Sequence, residues 1–122
     1  MELFTFNKVG KVDPTQLQQN SSHPADEMLV AGKPKRTSKP LVDFEPWRPG
    51  VGFWEAEVGA WNFVYPSNRN EIFHVLEGTF SIESETTPRI EFTKGDTGII
   101  PSGFSGTLRV YEAVRKMYVL LA

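Results

Sequence analysis

An all-β barrel or sandwich is the fold class this sequence predicts, on three observations. From Leu41 onward, short segments rich in aromatic and β-branched residues alternate with Gly, Pro and Asn clusters at the spacing of an antiparallel β domain. The composition, with 10 Gly, 9 Pro, 9 Phe and 3 Trp, suits a turn-rich β-protein better than a helical bundle or a disordered chain. Between Gly59 and Gly103, a strand, an acidic turn, a second strand and a Gly-Asp turn follow one another at fixed intervals.

Taken in order, Phe4-Thr5-Phe6 reads as a short edge strand. Asp13 before Pro14 reads as the N-cap of a short helix, with Pro at its first position. Gln19 to Lys39 is polar and carries Ser21-Ser22, Gly32, prolines and the basic run Lys33-Pro34-Lys35-Arg36, so it is expected as an extended arm without regular elements. The basic run is read as a solvated loop rather than an anion contact. The division that follows is an N-terminal arm over residues 1–40 and a barrel over 41–122. Strands are expected near 52–57, 60–65, 71–77, 79–83, 89–93, 97–100, 107–112 and 115–121, with turns at 66–70, 84–88 and 94–96.

A length of 122 residues fits one domain that buries a core without staples. A net charge of −2 argues against broad nucleic-acid binding. No run approaches the roughly 18 apolar residues that span a bilayer, and the start Met1-Glu2-Leu3-Phe4 lacks the regions of a secretory signal. The absence of Cys removes disulfides, thiol catalysis and thiolate metal sites. The expectation is a soluble, cytoplasmic protein with no nucleic-acid or membrane partner.

Strand parity sorts the side chains, since alternate residues face opposite sides. With Glu71 inward, Phe73 and Val75 point inward too, and Ile72, His74 and Leu76 form an outer stripe that a second subunit or the arm should cover. Trp61, Phe63 and Tyr65 share a face, as do Gly106, Leu108 and Val110.

Gly59, five residues, Tyr65-Pro66-Ser67, three residues, Glu71, six residues and Gly78 have the spacing of the first cupin motif, and Gly95, five residues and Pro101-Ser102-Gly103 that of the second. With the surrounding runs Gly52-Phe53-Trp54-Glu55, Asn70 to Gly78, Ile100 to Thr107 and Glu112 to Val119, the chain resembles the small single-domain RmlC-like cupins grouped with the ureidoglycine aminohydrolase cupin domain and the ethanolamine-utilisation cupin. The resemblance covers roughly residues 50–121. It implies a double-stranded β-helix, or jelly-roll barrel, commonly a homodimer, with a small-molecule pocket inside. Metal-binding cupins carry histidines where this chain has Tyr65, Ser67 and Gly106, so of that ligand set only Glu71 is present, and no metal or other cofactor is expected. Leu108 stands where this group often carries tryptophan.

The chemistry expected therefore centres on Glu71, with Tyr65 assisting, as a metal-independent acid or base acting on a small polar metabolite. A wall of Trp61, Phe63, Phe73, Leu108 and Val110 would desolvate the carboxylate and make it a proton donor near neutrality, with Ser67 as a further contact. The competing reading pairs Glu71 with Arg69 or Arg109 for structure alone. Arg115-Lys116 reads as charge on an outward face or subunit rim, and at least two of Trp47, Trp54 and Trp61 as core. Two other functions remain: a metal-dependent enzyme of aminohydrolase or isomerase kind, and a non-catalytic binding or dimeric scaffold module.

Overall fold

The structure, a computed structural model, describes residues 9–43 and 50–121. Expectations for Phe4–Phe6 and Trp47 lie outside the described residues. Nine strands are described: β1 (Asn20–Ser22), β2 (Leu29–Ala31), β3 (Arg36–Asp43), β4 (Gly50–Ala56), β5 (Gly59–Val64), β6 (Asn70–Glu83), β7 (Ile90–Thr93), β8 (Thr97–Ile100) and β9 (Ser105–Leu121). All pair antiparallel in one curled sheet, so the all-β expectation holds.

Two long strands organise it. β9 pairs with β6 along one edge and, in series, with β5 and β4 along the other. β6 carries β8 and then β7 on its far edge. Each had been expected as two shorter strands, broken near Gly78 and Ala113. Instead the chain passes both points in strand conformation, with register shifts between Val75 and Phe80 that add the local twist a curled sheet requires. Gly78 makes this passage feasible: its φ is +86°, and a Cβ there would overlap the Ala113 carbonyl across the ladder.

The N-terminal segment is more regular than its composition suggests. Asp13 caps a single 3-10 turn at Pro14–Gln16 by accepting from the Thr15 N–H, and the hydrogen bond from the Thr15 hydroxyl, then that backbone bond, hold its carboxyl below the usual range. Beyond it, β3 pairs with β4, β1 with β3, and β2 with β5, so residues expected as an extended arm complete the sheet, and β3 runs through residue 40. The edges of β4 and β5 leave backbone groups open, and an extended polar chain satisfies them whatever its side chains are.

The core lies between the curled halves, where Phe73, Phe80 and Phe92 meet with ring centroids 5.0–5.5 Å apart, beside buried Val75, Ile82, Val110 and Val114. No helix among the described residues is long and apolar enough to cross a membrane. Gly78→Ala forces a left-handed backbone and a steric clash together. It is expected to destabilise the fold by at least about 1–3 kcal/mol, read as a lower urea midpoint at unchanged m-value.

Candidate functional site

Side chains of β3, β4, β5, β6, β8 and β9 line a partly open cavity of about 380 Å³. Its wall joins Trp54, Trp61 and Phe63 to aliphatic Ile100, Leu108 and Leu120, and a small set of polar groups is inset among them. At the mouth two loops are tied together. The Tyr65 N–H donates to the Phe104 carbonyl (2.7 Å), the Gly103 N–H to the Pro66 carbonyl (3.1 Å), and the Ser102 N–H to Asn70 Oδ1 (2.9 Å).

Glu71 is buried, but it is not a lone carboxylate. The Lys116 ammonium lies 2.5 Å from its Oε2, and the Tyr65 hydroxyl donates to its Oε1. Lys116 is only 4% exposed, and its Nζ sits 4.7 Å from the ring centroids of both Trp54 and Phe73. Two expectations are corrected here. The partner of Glu71 is neither Arg69 nor Arg109, and Lys116 is not a surface charge. Because β9 is continuous, the inward parity of Leu108 and Val110 carries on to Val114, Lys116 and Tyr118, while Arg115 turns outward and pairs with Glu77 at 3.0 Å. Burial, then the charge of Glu71 and the hydrogen bond to it, push the Tyr65 phenol well above the ordinary tyrosine range. Tyr65 is therefore a neutral donor.

Of the other residues singled out in the sequence, Trp61, Phe63 and Leu108 line the cavity. Phe73 and Val110 lie deeper, in the core, with Phe73 offering its ring face to Lys116. Ser67 is exposed on the 66–70 turn and does not line the cavity. His74 faces outward against Thr97 Oγ1 (2.9 Å), and His23 Nδ1 donates to the Lys33 carbonyl (3.1 Å). Arg36, Ser38, Trp54 and Tyr118 join the wall without having been assigned to it. Parity continued through Ala113 would have found Lys116 and Tyr118. Arg36 and Ser38 had no such signal, because their strand forms by pairing with β4 and β1.

The donor set does not fit a divalent metal. Ser67 points to solvent, and any side chain at Gly106 would overlap the Glu83 carbonyl and the Phe104 ring. Both Glu71 oxygens are already engaged, and among the described residues no three His, Asp or Glu side chains converge.

A curled antiparallel barrel with its polar groups gathered on an interior cavity defines the chain as a cupin. It belongs to the EutQ-like cupin domain family, whose model matches residues 50–118. No match was found among curated proteins. Among solved structures, the Clostridium difficile EutQ protein is 23% identical at a TM-score of 0.63, with 72% of this chain and 68% of that one covered. A Pseudomonas syringae pv. tomato protein of unknown function, from the DUF861 family, is 20% identical at a TM-score of 0.75, and this chain spans 46% of its length. A putative ethanolamine utilization protein from Salmonella typhimurium is 20% identical at 0.63, with 87% and 97% covered. At these identities the likeness shows the fold.

Removing one member of a buried ion pair strands the other charge. Lys116→Met alone is expected to cost about 3–5 kcal/mol. The Lys116→Met/Glu71→Gln double variant should recover most of that loss, since it leaves no unpaired charge. A urea double-mutant cycle measures both, and additive losses would show the pair to be uncoupled.

Proposed function

We propose that the barrel binds a small polar metabolite in its interior cavity and moves a proton there without a metal. Glu71 takes the proton, Lys116 stabilises negative charge developing on a substrate oxygen, and Tyr65 holds the carboxylate in place as a neutral donor. The observation that supports this is the continuous chain Tyr65–Glu71–Lys116 on the cavity wall. A buried ion pair contributes little to stability compared with apolar residues of similar volume. Its position beside space large enough for a ligand is better accounted for by chemistry than by packing. The reaction class is proton abstraction next to a carbonyl, in which the C–H electron pair becomes a carbon–carbon double bond, the carbonyl π pair moves onto the substrate oxygen, and the proton goes to Glu71. The metal-dependent aminohydrolase or isomerase reading is less favoured because the donor set does not fit a metal.

We further propose that two copies associate through the outer face of the barrel, which also carries the scaffold reading. Ile99, Ile72, Val119 and Val51 stand side by side in register across β8, β6, β9 and β4, with Ile99 69% and Ile72 40% exposed. Such a row on a monomer calls for cover.

Small polar metabolites that raise the melting temperature are expected to lose that effect in Leu108→Trp, which fills the cavity. For any compound converted, Glu71→Gln should lower kcat by about 10²–10⁴-fold. Conversion at an undiminished rate in that variant removes Glu71 from the chemistry. In light scattering after size exclusion, the wild type should run as a dimer, and Ile72→Lys/Ile99→Lys as a folded monomer. A monomeric wild type at micromolar concentration rules the interface out.

A further inference from the structure

The cavity wall carries three cations, Arg36, Arg69 and Lys116, against one carboxylate, Glu71, although the chain as a whole is net −2. Lys116 and Glu71 neutralise each other, so the surplus belongs to the two guanidinium groups, that of Arg36 partly buried on the wall and that of Arg69 exposed on the 66–70 turn at the mouth. Among the described residues no carboxylate pairs with either. A low-dielectric cleft lined by one sign of charge focuses the field and draws in ligands of the opposite sign.

Arg36 is the more built of the two. β3 brings it in from the N-terminal segment, and its guanidinium lies 5.4 Å over the Trp61 ring. Its Nη2 donates to a neutral hydroxyl, Ser22 Oγ, at 3.1 Å, and its Nε is buried with no acceptor. A buried donor without a partner costs free energy, and a charged one costs more. An oxyanion supplies the two coplanar acceptors that a guanidinium fork matches. Beside it on the wall, the Ser38 and Tyr118 hydroxyls lie 3.4 Å apart, within hydrogen-bond distance of each other. Trp54, Trp61 and Leu108 make the intervening surface apolar, which suits the carbon body of an organic acid better than an inorganic ion.

We infer that the ligand of this cavity is a small organic carboxylate, held by its carboxylate on Arg36, with its reacting end against Lys116 and Glu71. The inference rests on the interior-site reading above and adds the charge class and the residue that selects it. Burial lowers the Arg36 pKa, which accords with a guanidinium short of counter-charge.

The test uses matched probes at fixed ionic strength: benzoate against benzamide, succinate against succinamide, and inorganic phosphate, each titrated into the full chain by calorimetry. Carboxylates are expected to bind at least tenfold more tightly than their amides, with phosphate weaker than either carboxylate. Arg36→Gln should abolish that preference. Where circular dichroism shows Arg36→Gln unfolded, Arg36→Lys, which keeps the charge and removes the fork, should reduce the preference at least threefold. Equal binding of carboxylate and amide by the wild type overturns the anion inference and leaves the interior site standing. Phosphate binding as tight as benzoate overturns the organic-acid assignment, and a preference that survives both Arg36 variants overturns the role of Arg36. Absence of binding by every probe at millimolar concentration overturns this inference and the interior-site reading together.

Discussion

Burying one carboxylate inside a barrel is the constraint on which the rest of the interior depends. An isolated Glu71 at 6% exposure would face a desolvation cost that no apolar wall repays. The Lys116 ammonium at 2.5 Å and the Tyr65 hydroxyl meet that cost, and each must be placed in turn. Lys116 is held by the faces of Trp54 and Phe73, so the ammonium lies among ring surfaces as well as against its counter-ion. Tyr65 is held by its backbone bond to Phe104, which couples the cavity mouth to the ion pair. The polar chain and the aromatic cluster around it are therefore a single arrangement, and a change in one is felt in the other.

That arrangement depends in turn on two strands that do not break. β6 delivers Glu71 and Phe73 at one end and Phe80 at the other, and β9 delivers Leu108 at one end and Lys116 at the other. Only an unbroken β9 keeps Lys116 on the same face as Leu108. Gly78, in a left-handed conformation against Ala113, lets the paired strands pass one another where the register shifts. The EutQ-like cupin family supplies the frame. Inside that frame this chain places the Glu71–Lys116 ion pair and the partly buried Arg36.

Much of the barrel was legible because its signals are local. The turns at 66–70, 84–88 and 94–96 follow from Gly, Pro and Asn chemistry, and Glu71, Trp61, Phe63 and Leu108 follow from two-residue alternation. The misreading of Lys116 and of the partner of Glu71 has one physical source, the treatment of 105–121 as two strands. With the alternation restarted after Ala113, Lys116 lost its connection to Leu108 and was read as a solvated charge, and Glu71 was left looking for an arginine.

By itself the sequence determined the all-β class, the cupin spacing, the single carboxylate at the metal-ligand position and the missing histidines, since each of these is a matter of residue type at fixed separation. Only the tertiary structure decided which cation neutralises Glu71, because that contact joins residues 45 positions apart on different strands. The same holds for Arg36 and Ser38. Their segment has no strand pattern of its own and becomes part of the wall only because the open edge of β4 is there to pair with it.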